Sequence, residues 1–188
     1  QMNEMSLFDE WYIGKHLDVN LSKKQSGELH QCYERIYAII SKIPKSFMHR
    51  DFHSRNLMVT SEKNPGVLDY QDAVLGPITY DIASLLKDCY VAWDDETVYA
   101  MTSSFFSKIE KRHDIVYEEF EYWFDITGLQ RHLKAIGIFS RLNYRDNKSN
   151  YLGDIPRTLN YVTKMLAKYS ELSELKRIFS EINLDKKI

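Results

Sequence analysis

One short stretch of the chain contains residues whose types and order suit phosphate chemistry. Asp51 is followed five residues later by Asn56, and a polar turn separates Asn56 from Asp69. Phosphoryl transfer from a nucleotide needs one carboxylate facing the acceptor hydroxyl, and it needs amide or carboxylate oxygens as ligands for Mg²⁺. The order of these three residues therefore predicts a phosphoryl-transfer site.

The segment between Asn56 and Asp69 has the signals of a β-hairpin. Residues 57–59 and 67–68 are short apolar runs of β type, and the turn Asn64-Pro65-Gly66 lies between them. A hairpin would bring Asn56 and Asp69 to one edge. An Asp or Asn in a turn more often serves as an Asx-type cap, but the complete spaced set is specific for a site.

Composition predicts an ordinary globular domain. The chain has 188 residues, of which 44% are hydrophobic and 28% charged, and its net charge is −2. We find no basic run that would indicate a nucleic-acid partner, no bilayer-length apolar run and no secretory signal. We therefore expect no membrane partner and a cytoplasmic location, with Cys32 and Cys89 as buried thiols in a reducing compartment.

Apolar periodicity predicts a mostly α-helical (α+β) fold with a small β-hairpin insert at the candidate site. Residues 73–77 are expected to form a loop ended by Gly-Pro. The helices are expected from residue 8 to about 17, from a Ser22 cap until Pro44 stops the helix, over 78–90, from Asp94 or Asp95, over 118–145, over 156–169, and from a Ser173 cap to 182.

The spaced set resembles the catalytic core of the kinase-like phosphotransferases, the group of aminoglycoside phosphotransferases and choline kinases. Their signature is His-x-Asp-x-x-x-x-Asn followed by an Asp at the end of a short strand, and His49 to Asp69 match it. The resemblance implies that Asp51 is the catalytic carboxylate, that Asn56 and Asp69 hold Mg²⁺, and that ATP is the phosphate donor.

The same resemblance implies supporting roles for neighbouring residues. We expect His49 and His53 to brace the catalytic loop by hydrogen bonds, and Asp72 to be a further carboxylate behind the metal ligands. Asp81 is expected to tie the following helix to the loop. A carboxylate in the first turn of a helix is also favoured by the helix dipole, and the two interpretations of Asp81 are compatible.

Kinases of this group have a β-rich lobe ahead of the motif, with a glycine-rich loop and a strand lysine. The 48 residues before His49 look helical and contain neither feature. We therefore expect residues 1–188 to form a single C-terminal catalytic lobe of a kinase-like fold. The N-terminal nucleotide-binding lobe is expected to lie outside this sequence and to be a partner of this lobe, besides nucleotide and a small sugar.

The predicted helix over 118–145 carries a basic stripe opposite its apolar face. The stripe consists of Arg131, Lys134, Arg141 and Arg145. It could be a solvated basic face. It could instead be an acceptor site, because Tyr122, Trp123 and Phe124 lie nearby in sequence and could stack on a sugar.

This helix, residues 151–157 and the opening residues 8–12 are similar to one branch of the family, the anomeric kinases of N-acetylmuramate and N-acetylglucosamine, which act in cell-wall recycling. We expect Arg131 and Arg141 to face an acyl or lactyl oxygen and Tyr122 and Trp123 to stack on the sugar ring, because a basic stripe beside aromatic residues suits such a substrate. Two alternatives stay open. Another small-molecule phosphotransferase, such as an aminoglycoside kinase, could use the acidic group Glu118, Glu119, Glu121 and Asp125. A kinase-like lobe without activity could serve only in binding.

Overall fold

The computed structural model describes residues 2–184, and most of them are helical, as predicted. The main elements in chain order are α1 (Met2–Leu7), a π-helix (Phe8–His16), α2 (Lys23–Lys42), β1 (Lys45–Met48), β2 (Leu57–Met58), β3 (Gly66–Val67), β4 (Val74–Pro77), α3 (Tyr80–Leu86), α4 (Asp95–His113), α5 (Tyr117–Asp146), α6 (Ile155–Lys168) and α7 (Ser173–Glu181). Short 3₁₀ turns occur at Ser54–Asn56, Tyr70–Asp72, Ser149–Asp154 and Ser170–Leu172.

The chain divides into two compact units. The first unit combines Gln1–Ala38 with Leu129–Ile188, and the second is Ile39–Gly128. No helix within residues 2–184 has both the length and the apolarity needed to cross a bilayer.

Helical structure at the N-terminal end of the first unit begins earlier than the sequence predicted. Helix α1 starts at Met2 and passes directly into the π-helix. The prediction of an α-helix that starts at residue 8 is therefore wrong. Phe8, Tyr12 and Ile13 are buried there, and the Phe8 ring stacks on Phe179 with centroids 5.4 Å apart. Apolar spacing over so few residues does not distinguish π from α pairing.

Helix α2 starts and stops as predicted. The Ser22 hydroxyl accepts the Gln25 N–H at 3.2 Å, while the Gln25 side chain accepts the Ser22 N–H at 3.0 Å. This is a capping box, which satisfies two backbone donors at the helix start. The helix ends at Lys42, two residues before Pro44. Cys32, in this helix, and Cys89 are both buried thiols outside any disulfide, as expected, and burial raises the pKa of the Cys32 thiol to about 11.

In the first unit, α5 approaches the N-terminal segment so closely that Gly137 has no room for a side chain. A Cβ added there would lie 2.6 Å from the Leu7 carbonyl oxygen and the Phe8 nitrogen. Nearby, the Lys134 ammonium pairs with Glu4 at 3.0 Å. The contact at Gly137 is between backbones, so it cannot be relieved by a change of rotamer.

The second unit contains four strands rather than the two that the sequence predicted. β1 pairs antiparallel with β4, and β2 pairs antiparallel with β3. The hairpin of β2 and β3 was predicted, whereas residues 73–77, predicted as a loop, include β4. Gly76 lies against the Met48 side chain, and Pro77 ends the strand. Pro is tolerated at such an edge position, which explains why the Gly-Pro pair does not prevent a strand here.

Two other helix ends differ from prediction. Helix α3 is shorter than 78–90 because Lys87 leaves the helical region, with φ −114° and ψ 46°. Ser173 is the first residue of α7 and makes no capping hydrogen bond, because a 3₁₀ turn runs directly into the helix. Helix α4 begins as predicted, since the Asp94 carboxylate accepts the Thr97 N–H at 2.7 Å.

We predict that Gly137→Ala destabilises the protein and that Gly27→Ala does not. The added methyl group at position 137 meets fixed backbone, and such overpacking costs about 1–3 kcal/mol. Gly27 is an exposed glycine in α2 with nothing within 4 Å of an added Cβ. Alanine there should stabilise the helix by up to about 1 kcal/mol. Urea unfolding of both variants tests this, and equal midpoints would contradict the close approach.

Candidate functional site

The loop that follows β1 is held in an uncommon conformation by one carboxylate. Arg50 has φ 83°, a value that non-glycine residues rarely adopt. The Asp81 carboxylate accepts the His49 N–H at 2.6 Å and the Arg50 N–H at 3.0 Å. Helix α3 is thereby linked to the loop at the residues just before Asp51. Strained backbone of this kind is concentrated at functional sites.

Asp51 and Asn56 are joined through the backbone of the loop. The Asn56 side-chain amide donates to the Asp51 carbonyl at 2.9 Å, and the His53 N–H donates to the same oxygen at 3.0 Å. Asn56 is buried and Asp51 is half-buried. Because the amide group of Asn56 is used in this way, its Oδ1 is the atom that remains for a metal ion.

The predicted hairpin forms, and it sets the residue before Asp69 beside Asn56. Leu57 faces Val67 in the register of β2 and β3, and the Leu68 N–H donates to the Asn56 carbonyl at 2.9 Å. Asp69 follows directly, exposed and with φ 58° in the left-handed region. Asp tolerates that region better than most residues. The left-handed conformation of Asp69 turns the chain sharply at the residue whose carboxylate is exposed to solvent.

This donor set is compatible with Mg²⁺ in a nucleotide complex. Within residues 2–184 no group of three or more His, Cys, Asp or Glu side chains could hold a metal ion. Mg²⁺ in phosphoryl transfer does not need such a group, because it is commonly held by one or two carboxylates with phosphate oxygens and water. Asn56 Oδ1 and the Asp69 carboxylate fit that pattern as the protein ligands.

The ring of His49 does not supply the bracing hydrogen bonds that we expected. It is 5% exposed, and neither ring nitrogen has a hydrogen-bond partner among the described residues. The ring packs edge-on to Phe52, with centroids 5.8 Å apart, and only the backbone of His49 is bonded to Asp81. His53 packs edge-on to Tyr90 at 5.2 Å.

Beside His49 there is a largely apolar cleft of about 470 Å³. It is lined by Phe47, His49, Phe52, Val67, Tyr70 and Asp81. The cleft therefore includes the first residue of the catalytic motif and the residue directly after Asp69. Asp72 ends the 3₁₀ turn that begins at Tyr70, and it is exposed.

The structural roles of three charged residues near this loop were not predicted from the sequence. Lys87 and Asp125 form an ion pair at 2.5 Å with side chains only 8% and 6% exposed, and the Lys87 ammonium lies 4.5 Å from the centre of the Phe124 ring. Asp88 is 1% exposed and accepts the Ser54 N–H at 2.7 Å. The spacing of seven between Asp81 and Asp88, about two helical turns, was the available signal.

The proposed basic stripe on α5 is not one continuous basic face. Lys134 is paired with Glu4, and the exposed Arg145 is paired with its neighbour Asp146 at 2.7 Å. Arg131 and Arg141 are half-buried, and no partner for the buried Nε of Arg141 exists within residues 2–184. Substrate binding by these two arginines stays a prediction.

The aromatic and acidic residues at the start of α5 also divide into two groups. Tyr122 and Trp123 are half-buried, so part of each ring is accessible. Phe124 belongs to the core with Ala83 and Leu86. Asp125 is paired with Lys87, so it is not available for a cationic substrate as part of the acidic group.

We predict that Asp125→Asn is far more destabilising than the double variant Lys87→Met/Asp125→Leu. The single change leaves a buried ammonium without its counter-charge, at a cost of about 3–5 kcal/mol. The double change removes both charges and should cost much less. Glu174→Gln is the control, because Glu174 pairs with Arg35 at the surface, where such pairs contribute at most about 1 kcal/mol. Urea unfolding gives the free energy of unfolding of all three variants. If Asp125→Asn were no less stable than the control, the ion pair would not be important for stability.

The chain is similar over its length to bacterial sugar kinases. It is 40% identical over 190 residues to the N-acetylmuramate/N-acetylglucosamine kinase of Neisseria meningitidis serogroup B, a match that covers 100% of this chain and 57% of that protein. The protein of the same name from Pseudomonas putida is 40% identical over 182 residues, covering 95% of this chain and 53% of the relative.

A third relative, named in the same way, comes from Caulobacter vibrioides and is 29% identical over 177 residues, which is 92% of this chain and 47% of that protein. The chain thus spans about half the length of the curated relatives that it matches. The sequence model of the phosphotransferase enzyme family (APH) matches residues 3–114, which include His49, Asp51, Asn56, Asp69 and Asp81. The chain belongs to the phosphotransferase enzyme family.

Proposed function

We propose that this chain supplies the catalytic and metal-binding residues of an ATP-dependent sugar kinase. The observation that carries the proposal is the loop itself. The Asn56 side chain bonds to the Asp51 carbonyl, and the Leu68 N–H, one residue before Asp69, bonds to the Asn56 carbonyl. The family match and the names of the relatives support phosphoryl transfer to a sugar.

In this proposal Asp51 acts on the acceptor. Its carboxylate orients the sugar hydroxyl and accepts its proton as the oxygen bonds to the γ-phosphorus of ATP. The bond between that phosphorus and the bridging oxygen of ADP breaks in the same step. No described residue bonds to the Asp51 carboxylate, so the carboxylate is available for this role.

Asn56 and Asp69 would hold Mg²⁺ across the phosphates. The ion supplies positive charge that offsets the charge on the transferring phosphoryl group. Asp81 holds the backbone of His49 and Arg50, and so positions Asp51 without touching the substrate. We assign Asp72 a supporting position behind the metal ligands, since it lies on the same 3₁₀ turn that follows Asp69.

We further propose that a nucleotide-binding lobe outside this chain covers the second unit. Phe47 and Leu75 are opposite each other in the register of β1 and β4, and they are 70% and 77% exposed. Tyr70 is 71% exposed beside the cleft. Isolated domains rarely leave so many neighbouring apolar side chains in water. The unmatched part of the longer relatives is large enough for another lobe.

The acceptor we propose is the anomeric hydroxyl of N-acetylmuramate or N-acetylglucosamine, the sugars in the relatives' names. Arg131 and Arg141 offer guanidinium groups for an acyl or carboxylate oxygen, and Tyr122 or Trp123 offers a ring for stacking. Because Asp125 is paired with Lys87, the acidic group that could bind a cationic aminoglycoside has one carboxylate fewer.

We predict that Asp51→Asn in the full-length protein lowers the rate of phosphoryl transfer by at least ~10²-fold, the usual lower contribution of a positioned base. Asn keeps the size of the side chain, so circular dichroism and nucleotide binding should be unchanged. Asp95→Asn is the matched control, because Asp95 is an exposed carboxylate in the first turn of α4. A variant that retains full activity, or one that fails to fold, would reject the catalytic assignment.

We predict that Arg131→Ala or Arg141→Ala selectively impairs phosphorylation of N-acetylmuramate, because only that sugar has a lactyl carboxylate. Loss of a charge-assisted hydrogen bond costs about 1.5–3 kcal/mol, or roughly 10- to 100-fold in kcat/KM. Lys134→Ala is the control, because that side chain is already paired with Glu4.

The measurement is kcat/KM with both sugars, with the position of the phosphate determined by NMR. Phosphate on C6 only, or transfer only to an aminoglycoside, would contradict the acceptor while leaving the kinase proposal intact. Equal effects of both arginine variants on the two sugars would mean that neither guanidinium holds the carboxylate. An intact parent without any phosphoryl transfer would favour a lobe that only binds.

A further inference from the structure

Asp88 is a buried carboxylate whose two oxygens bond to different parts of the backbone. Oδ2 accepts the Ser54 N–H at 2.7 Å, and Oδ1 accepts the Tyr90 N–H, also at 2.7 Å. The second bond is a local Asx turn. The first joins the segment after α3 to the catalytic loop, 34 residues earlier in the chain. At 1% exposure, Asp88 would be costly to bury without both bonds.

The Ser54 N–H is the first donor of the turn that ends at Asn56. That turn has no side-chain cap of its own, since His53 precedes it in an extended conformation and makes no capping bond. The turn closes with the Asn56 N–H donating to the His53 carbonyl at 2.9 Å. Asp88 therefore fixes the start of a turn whose last residue is Asn56.

Neighbouring groups hold Asp88 itself in place. Lys87 is anchored by its ion pair with Asp125. The Tyr90 ring contacts the loop on two sides, with the Arg55 guanidinium 3.7 Å from its centre and the His53 ring edge-on at 5.2 Å. The segment from Lys87 to Tyr90 thus contacts the loop after Asp51, while Asp81 contacts the loop before it.

We propose that Asp88 is a positioning residue for Mg²⁺ binding, acting through Ser54 on Asn56. The inference rests on the proposed function, because it takes Asn56 as a metal ligand. Residues that orient metal ligands typically contribute 10- to 100-fold to metal affinity. Asp81 then fixes the catalytic carboxylate, and Asp88 fixes the neutral metal ligand, from the same segment of chain.

Two variants remove the Asp88–Ser54 bond in different ways. In Asp88→Asn an NH2 group replaces one of the two oxygens, so a donor faces one of the two N–H groups, and the local Asx turn is the bond that it can keep most easily. Ser54→Pro deletes the donor and leaves the carboxylate. Proline suits the first position of a helical turn, and the extended His53 is compatible with a following proline. Asp95→Asn is the control.

The first measurement is hydrogen exchange at the Asn56 backbone N–H in the 188-residue chain. Both variants should exchange faster there than the wild type and the control, while amides in α5 are unchanged. The second is the Mg²⁺ concentration that gives half-maximal phosphoryl transfer by the full-length protein. It should rise by about 10- to 100-fold in both variants, with kcat restored at saturating Mg²⁺.

Unchanged exchange at Asn56 would overturn the proposal. So would an unchanged Mg²⁺ requirement together with a lower melting temperature, since that combination describes a residue that only stabilises the fold. An inactive wild-type protein would overturn the proposed function, and with it the Mg²⁺ role of Asp88. The exchange measurement would then still decide whether Asp88 orders the turn, so the two failures are distinguishable.

Discussion

The candidate site depends on carboxylates that accept hydrogen bonds from the backbone of a loop. Asp81 holds the N–H groups of His49 and Arg50, at the point where Arg50 has a strained positive φ. Such charge-assisted bonds are roughly twice as strong as neutral ones, so they can offset the strain. Without them the loop would relax towards common backbone conformations, and the Asp51 carboxylate would lose its fixed place.

Contacts within the second unit fix the position of α3, the helix that carries Asp81. Lys87 bonds to Asp125 at the C-terminal end of the helix, and the Thr79 hydroxyl bonds to Thr127 at 2.7 Å at its start. Gly128 leaves space for the Lys87 stem, since a Cβ there would lie 2.7 Å from the Lys87 Cδ. A helix of only seven residues is too short to be stable alone. Its position is therefore set by these polar contacts as well as by burial of Ala83 and Leu86.

The two proposed metal ligands differ from each other in how they are held. Asn56 is buried and bonded through its amide, whereas Asp69 is exposed at the end of a two-residue strand. An exposed carboxylate in the left-handed region has few contacts of its own and is placed by the hairpin register. Asn56 is thus rigidly supported, whereas the Asp69 carboxylate is openly accessible. This arrangement would suit a metal ion that arrives bound to its nucleotide.

The sequence alone determined the elements that depend on local chemistry. The Ser22 capping box, the Asp94 cap, the hairpin around its turn and the buried face of α5 were all predictable, because each is set by residues near one another in the chain. The signature from His49 to Asp69 was also readable, since its residues are close in sequence.

The tertiary structure decided the rest. Pairing of β1 with β4, the close approach at Gly137, the Lys87–Asp125 ion pair and the bond from Ser54 to Asp88 join residues that are distant in sequence. The same holds for the basic stripe, which the sequence predicted as one surface and which the pairing of Lys134 with Glu4 interrupts. Helical periodicity indicates which side of a helix a residue occupies, but the neighbouring segment determines whether its charge is free.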